Sequence, residues 1–306
     1  MGKSYMYLDH FKFNELPFAL TPNVGFFCHL GGHQEALNTI LFSLRAGEGF
    51  IKIVGEVGSG KTLLCRKLLD NLENEYVTAY IPNPDLTPIE LRRAFARELG
   101  INPALLHDQH ELLSLINHRL LELHADNKHV VLLLDEAQAL SDESLEALRL
   151  LTNLETKTTK LLQVVLFGQP ELDEKINLTH LRQLKQRISF SYYLPQLSRE
   201  DLDTYLFHRL SIAGNTYGNL FTKKARNILY TTSRGIPRLV NILCHKALIV
   251  AYGRGELTIN HRIMRIAVDD TDAVVPTYRK KVMTYLLSLS GLVSLVLSWY
   301  LYKGII

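Results

Sequence analysis

The chain has 306 residues, a formal net charge of +3, and 47% hydrophobic against 21% charged residues. That length holds one large or two ordinary domains plus an appendage, and the balance excludes a disordered chain. So small a charge gives no sign of the concentrated basic face that a nucleic-acid-binding domain carries. Cys28, Cys65 and Cys244 stand far apart without a paired spacing, so reduced thiols are expected, and the scattered histidines offer no zinc motif.

In chain order, residues 1–45 form an aromatic-rich leader (Tyr5, Tyr7, Phe11, Phe13, Phe18, Phe26, Phe27) broken by Pro17 and Pro22. So many rings require an ordered segment packed on the core that follows. Its opening, 1–14, has charges and rings but no apolar run, so no signal peptide is expected. Strand-like runs then recur at 50–54, 77–81, 130–134, 162–168 and 188–194, with helical patterns at 62–72, 88–99, 111–124 and 142–154 between them. This alternation predicts an α/β fold with a parallel sheet over 46–195, and five consecutive aliphatics at 130–134 suit a sheet covered on both faces. Beyond Pro195 the pattern becomes helical only, at 200–213, 222–233, 237–251 and 260–268. A separate all-helical lid is expected over 196–272, then a linker over 273–282.

Residues Gly55, Glu56, Val57, Gly58, Ser59, Gly60, Lys61 and Thr62 fit G-x-x-x-x-G-K-[ST] at every fixed position, between a strand and a helix. That context makes the octet a P-loop of the P-loop NTPase type. Glycines let backbone N–H groups converge on phosphate oxygens, and the helix directs its positive end at the same anion. Lys61 would reach the β- and γ-phosphates of ATP and the Thr62 hydroxyl would ligate Mg2+. A dinucleotide loop is excluded, because the third glycine it needs is replaced by Leu63.

Asp135 and Glu136 end the most apolar strand, about 75 residues downstream. Asp135 suits the second Mg2+ ligand and Glu136 the base for the attacking water, although a helix N-cap would use the same residue types. Gln169 ends the next strand, where an amide can hold that water or simply begin a turn before Pro170. Arg187, just before the last strand, and Arg182, one turn and a residue earlier, can each be solvated surface or a charge supplied to a neighbouring subunit's nucleotide. Arg238 follows Gly235-Ile236-Pro237 at a helix start, from which a lid can bring it to the γ-phosphate.

Residues 283–302 hold twenty residues without a charge, the length that spans about 30 Å of hydrocarbon. Arg279, Lys280 and Lys281 precede them, and Trp299, Tyr300 and Tyr302 close them. A single-pass transmembrane helix with the basic flank and the ATPase on the cytoplasmic side is expected. Thr284, Ser288, Gly291, Ser294 and Ser298 would share one face and permit close helix packing.

Taken together, the motifs resemble the AAA+ ATPases and, more narrowly, the ExeA/GspA type of bacterial secretion and pilus assembly. The likeness rests on the leader Leu16-Pro17-Phe18-Ala19-Leu20-Thr21-Pro22, the octet at 55–62, Leu134-Asp135-Glu136-Ala137-Gln138 and Gly235-Ile236-Pro237-Arg238. Within that type it is most similar to the ATPases of mannose-sensitive haemagglutinin (type IV) pilus biogenesis. The resemblance implies Walker A roles for Lys61 and Thr62, Walker B roles for Asp135 and Glu136, and a sensor 1 role for Gln169. It also implies Arg187 as the arginine finger, Arg238 as sensor 2, and a homo-oligomeric ring, hexamer-like, at the bacterial inner membrane. Pilus or secretion machinery proteins are the implied partners. Longer members continue into a periplasmic peptidoglycan-binding domain, whereas this sequence runs only four residues past Tyr302, so direct contact with the cell wall is not expected. A DNA-acting ATPase of the transposition-helper type is the second reading. The uncharged C-terminal stretch and the missing basic stripe weigh against nucleic acid as a partner.

Overall fold

The computed structural model of the protein describes residues 6–102, 109–156, 159–215 and 220–272. Five parallel strands, β1 (Phe50–Val54), β2 (Tyr76–Ile81), β3 (His129–Leu134), β4 (Leu162–Gly168) and β5 (Phe190–Tyr193), form one sheet in the order β2-β3-β4-β1-β5. The order places β4 between β1 and β3, with Val54 in register with Gly168 and Leu134 with Leu166. The C-terminal ends of these three strands therefore share one edge, the position where α/β sheets bind ligands.

Both faces of the sheet are covered, as the aliphatic strands require. Val130, Leu132 and Leu134 alternate with Val131 and Leu133, so one strand feeds two separate cores. The first core receives α4 (Pro88–Glu98), α5 (Gln109–Ala125), α6 (Asp142–Leu151), α7 (Pro170–Ile176) and α8 (Arg182–Arg187). The second receives α2 (Gly31–Arg45) and α3 (Lys61–Asn71). Lys52, the one charge inside β1, turns to the first face and pairs with Asp173 of α7.

Helix ends carry conventional stops. Thr87 caps α4 in a reciprocal box with Glu90, and Ser141 caps α6. The helix expected over 142–154 ends at Leu151, beyond which the last turn tightens, with the Asn153 N–H on Leu150 O and the Leu154 N–H on Leu151 O. The strand expected over 188–194 is shorter, since the Ile188 N–H closes the end of α8 on Lys185 O.

Residues 199–272 form α9 (Arg199–Ile212), α10 (Lys223–Ser233), α11 (Pro237–Gly253) and α12 (His261–Asp269), joined by one isolated bridge between Phe221 and Ile259. The leader departs from the expectation that it packs on the core, because it divides. Tyr7 and Phe11 of α1 (Met6–Phe11), with Phe13, Phe18, Cys28 and Leu30, enter the core of these C-terminal helices. Phe27 and α2 lie instead on the sheet. With α2 and α3 already filling that sheet face, the remaining rings have apolar surface to bury only against α9 to α12. Among the described residues no helix is long and apolar enough to cross a membrane, and the expected linker and span over 273–302 lie outside the described residues.

Candidate nucleotide site

β1 ends at Val54, and the Gly55 N–H bonds Gly168 O, which anchors the loop to β4. The turn then takes φ of +81° at Gly58 and +104° at Gly60, a region side chains rarely enter. Space forbids a side chain as well: a Cβ on Gly58 would lie 2.6 Å from the Cβ of Arg238. α3 begins at Lys61, so its unpaired N-terminal N–H groups face the same opening.

Lys61 is buried, and its Nζ donates to Gly55 O at 2.8 Å and to Glu56 O at 3.0 Å. Burial pulls its pKa down, while the negative charges of Glu136, Asp135, Glu56 and Glu171 work to keep it charged. Asp135 is only 2% exposed. Burial raises its pKa, opposed by hydrogen bonds from the Thr62 hydroxyl and from the Glu136 N–H at 3.0 Å.

Glu136 leaves the strand end with φ of +53°, a conformation uncommon for a residue with a side chain. Its Oε2 accepts from Gln138 Nε2 at 2.6 Å and from Gln169 Nε2 at 2.9 Å. Burial pushes this carboxyl up, but the two amide donors and the Lys61 charge outweigh it and hold the group below the usual range. Gln169 is fixed in turn, since its N–H donates to Gln138 Oε1 at 3.1 Å. The strand order explains the meeting: β4 delivers Gln169 between the loop after β1 and the acids after β3.

A cleft of about 290 Å³ opens over this edge. Val57, Gly58, Gly60, Lys61, Thr62, Glu136, Gln169 and Arg238 line it, with Ala19–Asn23 of the leader and Tyr205, Arg209 and Asn241 of the C-terminal helices. Pro237 is the first residue of α11, and the Arg238 N–H donates to Gly58 O at 3.2 Å, tying that helix to the loop. Glu56 faces outward and accepts from the Tyr193 hydroxyl at 3.2 Å. Ser59 is buried with no partner on Oγ. Arg187 stays apart from the cleft: its Nη1 donates to Thr152 O and Oγ1, each at 3.3 Å, while Arg182 is exposed on the same short helix. The sequence reading had not singled out Tyr205, Arg209 and Asn241, nor given Gln138 a role. Only Gln138, beside the paired acids, carried a usable signal.

Among the described residues no three His, Cys, Asp or Glu side chains gather as a metal cage. A Thr62 hydroxyl bonded to one buried carboxylate is nevertheless the donor set that fits Mg2+, which takes one or two protein oxygens and completes its shell with phosphates and water.

Residues 44–176 match the AAA domain family. General secretion pathway protein A of Aeromonas hydrophila is 43% identical over 269 residues, 88% of this chain and 49% of that protein. The chain thus spans about half the length of the curated relative it matches. Among solved structures, the ORC2 protein of Aeropyrum pernix in its ADPNP–ADP complexes superposes with a TM-score of 0.62 at 18% identity, covering 89% of this chain and 73% of that one. Cdc6p of Pyrobaculum aerophilum gives 0.62 at 19% identity, covering 86% and 70%. At those identities the two structures speak to the fold alone: a parallel sheet with a C-terminal helical part. With the AAA match lying across the P-loop and the acids after β3, the chain carries an AAA domain and is related to general secretion pathway protein A.

Proposed function

We propose that this chain binds and hydrolyses Mg·ATP to drive or regulate assembly of a secretion apparatus or a type IV pilus of the mannose-sensitive haemagglutinin kind. The observation that carries the reading is the Glu136 carboxylate, held ionised by Gln138 and Gln169 in the cleft that also contains Lys61 and Thr62. Loop N–H groups and Lys61 would bind the phosphates, and Thr62 and Asp135 would hold Mg2+, which would supply neutralisation of the phosphate charge. Both amide bonds fall on Oε2, which leaves Glu136 Oε1 to take the proton of the attacking water. Gln169 fixes the direction of that carboxylate, and Arg238 ties the nucleotide to the angle of α11.

The same proposal extends to assembly and place. Subunits form a ring in which Arg187 or Arg182 serves a neighbour's nucleotide, which requires Arg187 to leave Thr152. Residues 283–302 anchor the chain in the bacterial inner membrane, with the ATPase cytoplasmic. The relation to general secretion pathway protein A supports this setting.

Glu136→Gln tests the chemistry. It is expected to keep Mg·ATP affinity and lose at least about a hundredfold of turnover. Turnover equal to wild type would remove Glu136 as the base. Cell fractionation tests the anchor, since a soluble full chain contradicts it, and salt-dependent DNA binding by residues 1–282 would favour a DNA-acting ATPase instead.

A further inference from the structure

We infer that His33, outside the nucleotide cleft, is a positioning residue that aims the Gly60 N–H at the bound phosphates. The inference rests on the nucleotide-binding reading above and assigns a role within that site.

His33 lies in the first turn of α2 and is 8% exposed. Its Nε2 lies 2.9 Å from Ser59 O. A carbonyl oxygen only accepts, so Nε2 carries the proton and donates. The Ser59–Gly60 peptide is planar and trans, so its carbonyl and N–H point in opposite directions. Holding the carbonyl toward α2 therefore turns the Gly60 N–H to the other side, where Gly60 lines the nucleotide cleft.

That hold has something to resist. Gly60 sits at φ +104°, and glycine takes either sign of φ at little cost, so the peptide before it can flip. A flipped peptide would present a carbonyl to the phosphates and cost one of the donors on which an anion cradle depends. The imidazole itself cannot flip away easily. It is set edge-on to Phe27 with ring centroids 6.4 Å apart. Behind it a pocket of about 40 Å³, lined by Leu30, Leu63 and Pro237 among others, offers room but few polar partners. Burial also lowers the His33 pKa, against a smaller upward pull from its bond to Ser59 O, which suits the neutral form with one proton on Nε2. His33 does not line the larger cleft, so it acts through the loop and not on the nucleotide.

The test uses the full chain with His33→Leu, His33→Gln and His33→Asn. Mg·ADP affinity is measured by titration calorimetry and turnover is resolved into KM and kcat, beside the thermal midpoint without nucleotide. A glutamine amide reaches the position of Nε2, whereas an asparagine amide reaches only that of Nδ1. The expected result is affinity about ten- to a hundredfold weaker in His33→Leu and His33→Asn, the loss of one bond to a charged acceptor, with His33→Gln within about threefold of wild type. KM should rise more than kcat falls. Equal affinity in wild type and a folded His33→Leu overturns the inference. If His33→Leu does not fold, the Gln and Asn variants decide, and equal affinity in those two overturns it as well. No heat with wild type would instead remove the nucleotide reading itself, a distinguishable failure.

Discussion

Arg209 offers the sharpest stability test in the fold. It is 5% exposed on α9, with its Nε donating to Pro17 O at 2.5 Å and its Nη1 to the Tyr205 hydroxyl at 2.9 Å. The guanidinium also stands 4.7 Å from the Phe26 ring centroid. Arg209→Met keeps most of the stem and removes the head. Two bonds to a charged donor contribute about 3–6 kcal/mol together, and the ring contact about 1 more. The variant also avoids desolvating a guanidinium, which returns several kcal/mol. The difference that survives comes from Pro17 O, left buried and unpaired, so a net cost of about 2–3 kcal/mol is expected. The 3.5 Å contact to Ala19 O is too long to add to this sum. The loss should be local, because both ends of the bond set lie where the leader meets α9. Hydrogen exchange over residues 7–30 reads it directly: protection should fall by about 30- to 150-fold, with the strands unchanged. Arg209→Lys should not restore it, since one ammonium cannot reproduce the planar fork. Unchanged exchange in Arg209→Met would refute the reasoning, for the guanidinium would then not be what holds the leader.

Three further outcomes follow from the geometry. Gly58→Ala meets both a φ of +81° and the Arg238 side chain, so nucleotide affinity should drop by about tenfold or more in a titration, and wild-type affinity would contradict the packing. Glu136 sits below its ordinary value of 4.5, so its stabilising contribution is complete above that value and is lost only as pH falls through the lower folded value. A pH–rate profile should accordingly show no acid limb from Glu136 between about pH 5.5 and 8, and Gln169→Leu should move that limb upward; an unmoved limb breaks the assignment. Cys28, Cys65 and Cys244 are all buried, with burial pushing Cys28 up to about 11, so a thiol reagent should find no fast-reacting cysteine until the chain unfolds.

Much of this architecture was legible because the sheet is covered on both sides. β1 and β4 begin and end where their apolar runs do, although each carries one polar residue, Lys52 and Gln163. β5 was harder. It is an edge strand with alternating exposure, and Ile188 extends its apolar pattern without joining the ladder, since its N–H closes α8 on Lys185 O. The P-loop was legible from spacing because glycine, lysine and threonine each meet a separate geometric demand. The rest of the cleft was not, since Tyr205, Arg209 and Asn241 lie four or more residues apart on two helices and read as ordinary amphipathic positions. Rings in the leader announced burial, but no local pattern says which surface receives them. Arg187 shows the same limit, for proximity to β5 in sequence left it bonded to the end of α6.

The divided leader has a mechanical consequence. Tyr7 through Phe18, with Cys28 and Leu30, pack with α9 to α12, and Phe27 and α2 pack on the sheet, so the polypeptide passes from one body to the other within residues 27–31. The chain crosses again between β5 and α9, where the Leu197 N–H bonds Gly235 O. A rotation of one body against the other would have to bend both crossings at once. A cut at either crossing would leave the phosphate cradle whole and the two bodies joined by a single passage of chain.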